Sequence, residues 1–367
     1  MRNFALSPER LLAASNNLGD VIVDPTLWPQ IMDAICAAAG ATGAALLQTD
    51  IRTPDIPRTQ SVDDCFKHYF EGGWQTRDTR AERSVPLLSR GQPVVRDQDI
   101  VRPEEIHQLD FYNECALPFG LPWFAGIGLW AGSALWAMVI QRTSQQGPFQ
   151  RDEARILSLL APRLTETATL SKAVGYAALF GTNNALELVG QPALALDPLG
   201  FVLEANSAGQ AIFDNDFFVR NRRLVVRDQR AVQMLEDLVD QLRTTKDTVP
   251  LPRDPLVVRR RGKRPLVIRV LAVAGPARTP FLGARALLVI SDLQRRPSPE
   301  ASVLAETFGL TPAETRLAST MATGISIERA ADQLGLSRAT VRNQLKAVFA
   351  KTATNRQSEL VALLSRL

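Results

Sequence analysis

Between Gln333 and Ser358 the chain carries no acidic residue but five basic ones, Arg338, Arg342, Lys346, Lys351 and Arg356. Arg338, Arg342 and Lys346 recur every fourth residue, which places them along one side of a helix. Such a row, free of acids, can run beside a line of phosphates and displace their counterions. Two residues among them can read bases. The Arg342 guanidinium matches the two acceptors of guanine in the major groove, and the Asn343 amide matches adenine. A solvated helical face is the plainer account of the same charges, so the surrounding elements must decide.

Those elements carry their own signals. Thr311-Pro312-Ala313-Glu314 is a helix start, with a capping threonine, proline at the first helical position and a glutamate that closes a capping box. This helix is expected to pass Leu317 and Met321 and stop near Gly324. Ser326 caps a second helix, Ile327 to Leu334, and Gly335 can take the left-handed conformation that ends it. Ser337 caps a third helix reaching about Thr352, and an apolar-periodic segment from Gln357 to Leu367 follows. Val341, Leu345, Val348 and Thr352 form one stripe of the third helix, opposite Ala339, Arg342, Asn343 and Lys346. Two capped helices around a Gly-Leu-Ser turn form the skeleton of a helix-turn-helix.

The stretch LTPAETRLASTMATGISIERAADQLGLSRATVRNQLKAVFAKTATNRQSELVALL resembles the LuxR-type helix-turn-helix domain of bacterial transcription regulators. The resemblance spans Leu310 to Leu364 and lies in the LTPxE opening, the AxxLGLSxxTVRNxL centre and the AxTxxRxELV end. It implies a four-helix domain whose third helix enters the major groove, as a dimer on a two-fold-symmetric site. The family's contact positions fall on Arg342, Asn343 and Lys346, with backbone contacts from Arg338, Thr340 and Lys351. Gln344 stands where histidine is common, and Thr352 where leucine is usual.

Residues 176–298 have a different rhythm. Pro192 to Asp197 reads as a strand, Asp197-Pro-Leu-Gly200 as a tight turn, and Phe201 to Glu204 as the return strand. Asn206 caps a short helix through Ile212. Strands Leu256 to Arg261, Leu266 to Val273 and Ala284 to Asp292 come later. Two strands, helices, then three strands is the order of a PAS domain, and LALDPLGFVLEANSAGQAIF resembles the PAS opening. This stretch has neither histidine nor cysteine. A His-ligated haem and flavin–cysteine photochemistry are therefore excluded there. The run Arg259-Arg260-Arg261-Gly262-Lys263-Arg264 reads as a solvated hairpin end, with a DNA-binding tip as the sharper alternative.

The front, residues 6–170, opens with helical stretches Pro8 to Asn16 and Leu27 to Ala39, then a strand from Ala44 to Gln48. No charge occurs between Glu114 and Arg142, a run long enough for the roughly 20 apolar residues of a membrane span. Its prolines and glycines favour a buried hairpin instead, Phe124 to Trp130 and Ala134 to Gln141 around Ala-Gly-Ser. The segment from Asp152 to about Val189 is expected to be helical, with Ile156, Leu160 and Leu164 on one face and a kink at Pro162. Helices flanking an antiparallel sheet resemble a GAF-like sensory domain. Aromatic residues concentrate here and can line a ligand pocket or an ordinary core. The pocket residues expected are Trp74, Asp78, Asp110, Tyr112 and Trp123. LuxR-type quorum sensors bind acyl-homoserine lactones with a Trp/Tyr/Asp-Pro/Trp set. Thr79 follows Asp78 here in place of that proline, which weighs against such a lactone.

Catalytic chemistry finds little material. The three cysteines, Cys36, Cys65 and Cys115, are far apart in sequence, and the histidines are His68 and His107. They fit neither a zinc site nor a disulfide framework, and a reducing cytosol suits them. No phosphate loop, nucleophile elbow or dinucleotide fingerprint is present. The formal net charge of +4 hides a division, −4 over residues 1–175, +6 over 176–298 and +2 over 299–367.

The expectation is a multidomain, cytoplasmic, non-enzymatic protein without cofactor or metal. An α+β GAF-like domain spans 1–175, an α+β PAS-like domain 176–298 and an all-α helix-turn-helix domain 299–367. Its function is sequence-specific transcription regulation as a homodimer on double-stranded DNA, with no membrane partner. A small-molecule ligand and RNA polymerase are further candidate partners. The alternative is a ligand- or partner-binding adaptor whose helix-turn-helix makes only protein contacts.

Overall fold

The alternation of the first sheet explains why its strands are almost free of charge. The computed structural model describes residues 6–50, 53–244, 251, 254–294 and 300–364. Strands β1 (Gly43–Gln48), β2 (Val94–Arg96), β3 (Trp123–Ala131) and β4 (Ala134–Arg142) form an antiparallel sheet in the order β1-β4-β3-β2. Ala44, Leu46, Trp136, Met138 and Ile140 enter one core, while Ala45, Leu47, Ala137 and Val139 face the other side. Side chains alternate across a strand, so a sheet covered on both faces must be apolar at every position. The uncharged run is this buried β3–β4 hairpin, turned at Gly132 with φ +69°. No described helix is long and apolar enough to cross a membrane.

Helices cover both faces. On one side lie α1 (Pro8–Asn16), α2 (Asp20–Val23) and α3 (Trp28–Ala39); on the other lie α4 (Asp63–Glu71), α5 (Thr79–Ser89) and a wide helical turn, Phe111–Ala116. The short α6 (Asp97–Ile100) follows β2. After β4 come α7 (Arg151–Ser158) and the long α8 (Leu160–Leu188), interrupted at Leu159. The break falls where a proline at 162 obstructs the preceding turn. Leu160, Leu164, Ala168, Ser171, Gly175 and Leu179 make the buried stripe of α8.

The second sheet contains β5 (Ala193–Leu196), β6 (Val202–Ala205), β9 (Leu256–Arg260), β10 (Lys263–Ala272) and β11 (Ala286–Asp292), in the order β6-β5-β11-β10-β9. Between β6 and β9 lie α9 (Ser207–Gln210), the β7 (Phe217–Arg220) and β8 (Arg223–Val226) ladder, and α10 (Gln229–Thr244). That ladder, not anticipated from the sequence, turns on Asn221 and Arg222 at φ +51° and +60°, the mirror-image turn that matches strand twist. The arginine run at β9 is less solvated than expected, since Arg260 is buried 3.4 Å from Asp214.

Residues 1–261 and 266–291 form one compact unit. Within it Phe281, from the loop before β11, is buried in the first sheet's core. It packs edge-on against Trp28 and Trp136, with ring centroids 5.8 and 5.1 Å away. Residues 292–367, with 262–265, form a second unit. Its helices are α11 (Ala301–Phe308), α12 (Pro312–Ala322), α13 (Ile327–Leu334), α14 (Arg338–Thr352) and α15 (Gln357–Leu364), of which α11 was not anticipated. The last three residues of the expected fourth segment lie outside the described residues.

Candidate functional site

The second unit builds its surface from two caps and a core. Thr311 Oγ1 accepts from the Glu314 amide while the Glu314 carboxylate accepts from the Thr311 amide at 2.7 Å, completing the capping box of α12. Gly335, at φ +67°, ends α13, and its amide donates to the carbonyls of Ala331 and Asp332. Ser337 Oγ then accepts from the Thr340 amide at 3.1 Å and starts α14. Val341, Leu345 and Val348 are buried among Leu317, Met321, Ala330, Ala331 and Leu360. Each such aliphatic side chain contributes about 1.5–3 kcal/mol on burial, so α14 is held with one fixed face inward.

Arg338, Thr340, Arg342, Asn343 and Lys346 are all exposed, and Arg342, Asn343 and Lys346 lie on the side away from that core. Lys351 is placed differently. Its Nζ donates to Glu314 Oε2 at 2.6 Å and to the Gly309 carbonyl at 3.0 Å. Thr352 is buried and donates to the Val348 carbonyl at 2.8 Å. One acid outside the acid-free window matters. Glu328 on α13 is held below the usual carboxylate range by its own amide and the Ser326 hydroxyl, with attraction from Arg338 and Arg342. Sequence proximity could not place that acid beside those arginines.

The first unit contains a cavity between the first sheet and the α4–α5 layer. Its unfilled space is about 640 Å³, counting the part open to solvent. Leu47, Ala137, Val139 and Gln141 form its floor, and Phe66, Leu88, Phe111 and Phe124 its apolar walls. Polar groups are few and local. Tyr69 donates to Asp78 Oδ2 at 3.0 Å, and Asp78 Oδ1 caps α5 by accepting from the Ala81 amide at 3.0 Å. Gln141 is buried, and its Oε1 has no hydrogen-bond partner. A buried acceptor without a donor is costly and rare, so a donor arriving in the cavity would be favoured there.

Arg80 is the charged post of this site. Its Nε donates to Asp97 at 3.1 Å, and an Nη donates to the carbonyls of Leu121 (3.1 Å) and Pro122 (2.8 Å). Burial opposes its charge, yet Asp97 and Tyr112 hold the guanidinium above its ordinary value. The rings of Tyr112 and Phe124 lie 4.8 Å from the cation. Asp97 also accepts from the Tyr112 hydroxyl and the Phe124 amide.

Of the pocket residues read from the sequence, Asp78 lines the cavity. Trp74 is buried beside Phe111, its outer face covered by Arg77 at 3.8 Å. Tyr112 is buried and committed to Asp97, Trp123 is half-buried at the start of β3, and Asp110 is exposed. The structure does not bring these four into the cavity. Tyr69, Arg80 and Gln141 were missed. Only Gln141 left a trace in the sequence, since period-two alternation puts it in phase with Ala137 and Val139.

Among the described residues no cluster of His, Cys, Asp or Glu is arranged to hold a metal ion. No protein-family model matches the chain, and no curated protein matches it. Solved structures give distant similarity. The VqsR LBD domain from Pseudomonas aeruginosa is 16% identical, with 43% of this chain and 94% of that one covered and a TM-score of 0.35. The phage VqmA–DPO complex is 16% identical, covering 51% and 88% with a TM-score of 0.22. The E. coli DhaR(N)–DhaL complex is 12% identical, covering 76% and 86% with a TM-score of 0.20.

Proposed function

We propose that this chain is a sequence-specific DNA-binding transcription regulator of LuxR type, acting in the cytoplasm as a homodimer. The observation that carries the reading is the two-sidedness of α14. Val341, Leu345 and Val348 are buried, while Arg342, Asn343 and Lys346 stand exposed on the other side and Arg338 is exposed in the first turn. In this reading Arg342 and Asn343 meet base edges, and Arg338, Thr340 and Lys346 meet the phosphodiester backbone. The front of the chain is GAF-like and the middle PAS-like. The strand order β6-β5-β11-β10-β9, with helices between the second and third strands of that sheet, supports the latter. The role is one of binding rather than catalysis.

The cavity of the first unit is the proposed signal site. A small, mostly apolar molecule carrying a hydrogen-bond donor for Gln141 would suit its lining. Its binding would shift a dimer equilibrium and with it the spacing of the paired reading heads. Leu170, Val174 and Phe180, exposed along α8, supply apolar surface for pairing.

Selection of bound sequences from random duplex DNA by the purified chain tests the reading. A palindromic motif, lost with Arg342→Ala, is the expected result. Absence of enrichment, with affinity unchanged in Arg342→Ala, would overturn it in favour of an adaptor that makes protein contacts alone.

A further inference from the structure

Cys65 and Cys115 are 50 residues apart in sequence, but the fold brings them together. Cys65 lies on α4 and Cys115 in the helical turn Phe111–Ala116. Cys65 Sγ donates to the Cys115 carbonyl oxygen at 3.8 Å, which sets the two cysteines side by side. Both are free, buried and line the same cavity. Cys36 is separate, buried in the core on the other face of the first sheet.

We propose that Cys65 and Cys115 are a peroxide-reactive dithiol, which closes to a disulfide inside the cavity and thereby alters its shape. Access is provided by a cleft that shares Thr49, Asp78, Ala81 and Val85 with the cavity and continues past Gln75, Thr76, Glu82 and Pro86. The two thiols are unequal. The hydrogen bond from Cys115 holds the Cys65 thiol below its ordinary range against burial, with help from the Arg80 charge. That same bond, with burial, pushes the Cys115 thiol up, and Asp78 adds to the effect. The thiolate is the reacting form, and Cys65 is also the more accessible of the two, 7% exposed against 1% for Cys115, so Cys65 attacks and Cys115 resolves.

The Cys65 thiolate attacks the terminal oxygen of a hydroperoxide. The oxygen–oxygen bond breaks, Cys65 becomes a sulfenic acid, and the departing alkoxide or hydroxide takes a proton from water. Cys115 sulfur then attacks the Cys65 sulfur. The sulfenic hydroxyl leaves with the Cys115 proton as water, and the disulfide forms. The dithiol has lost two electrons and two protons, and the hydroperoxide has become an alcohol and water. The new bond ties α4 to the 111–116 turn across one wall of the cavity. Ligand fit and thiol state are thereby coupled.

Peptide mapping of the full chain after hydrogen peroxide treatment tests this, and the readout is a mass that does not depend on DNA binding. A linked pair of peptides holding Cys65 and Cys115, lighter by two hydrogen atoms and separated by dithiothreitol, is expected. Cys36 should stay reduced until the chain is unfolded. In Cys115→Ser the oxidation should stop at a sulfenic acid on Cys65, captured by a 1,3-dicarbonyl probe, and Cys65→Ser should give neither product. A chain without the linked pair, or one in which Cys36 is oxidised as fast as Cys65, would overturn the proposal. The wild-type mapping decides the matter if a variant fails to fold.

Discussion

Lys351 Nζ lies 2.6 Å from Glu314 Oε2, so the last turn of α14 is tied to the first turn of α12. From the sequence both Lys346 and Lys351 are expected at the DNA, Lys351 on its backbone, but the fold separates them. Lys346 is exposed, whereas Lys351 is engaged with a carboxylate and a carbonyl. On the DNA-binding reading, Lys346→Ala should reduce the salt slope of binding by about one, uniformly across sequences. Lys351→Ala should leave the slope unchanged and lower the melting temperature of the second unit. Equal loss of slope in both variants would show that the Glu314 pair opens on DNA.

The same pair sets a pH dependence. The Lys351 hydrogen bond and the Thr311 amide hold the Glu314 carboxyl below its ordinary value. A carboxyl depressed in the folded state contributes stability above its unfolded pKa, and that contribution is lost as pH falls through the folded one. Thermal unfolding followed from neutral pH to about pH 3 should show this loss, and Glu314→Gln should remove that part of the slope.

In the first unit, Arg285 Nε donates to Asp55, joining the segment after β1 to the start of β11. Burial opposes the Asp55 charge, but Arg285 and the Thr53 hydroxyl hold it below its ordinary value. Asp55→Ala leaves a buried guanidinium without its counter-charge and should cost about 3–5 kcal/mol in denaturant unfolding. The double variant Asp55→Ala with Arg285→Met should recover much of that loss. A double variant as unstable as the single one would show that packing, not charge, dominates here.

Two glycines of α8 should respond to alanine with opposite signs. In an open helical position the exchange stabilises by about 0.5–1 kcal/mol. Gly181 has nothing within 4 Å of an added Cβ, so Gly181→Ala should raise the melting temperature. At Gly175 the Cβ would sit 2.7 Å from Thr279 Cγ2 and 2.8 Å from the Pro276 carbonyl. Overpacking costs about 1–3 kcal/mol, so Gly175→Ala should lower it. Two increases would mean the 276–279 loop yields easily.

Gln141→Met should be neutral or stabilising by about 1 kcal/mol in the empty protein, because it removes an unpaired buried acceptor. The same change should weaken binding of a donor-bearing ligand found by native mass spectrometry. A clear loss of stability without ligand would assign Gln141 to the structural core.

The sequence alone determined α12 to α15 of the second unit, though not α11. Thr311, Ser326, Gly335 and Ser337 act on neighbours within a few residues, so their caps and turn appear as expected. The uncharged hairpin was legible for a related reason, since a strand buried on both faces leaves no position for a charge. Tertiary structure decided what depends on distant pairings. Which of many arginines becomes a buried post follows from Asp97, Leu121 and Pro122 around Arg80, not from any property of its neighbours. The aromatic count pointed to the right region but not to the lining, because Trp74 and Tyr112 belong to the packed layer behind the cavity. Cys65 and Cys115 read as isolated until α4 and the 111–116 turn packed against each other. Caps and periodicity are short-range and survive in one dimension. A cavity, a buried ion pair and a thiol pair exist only once segments far apart in sequence pack together.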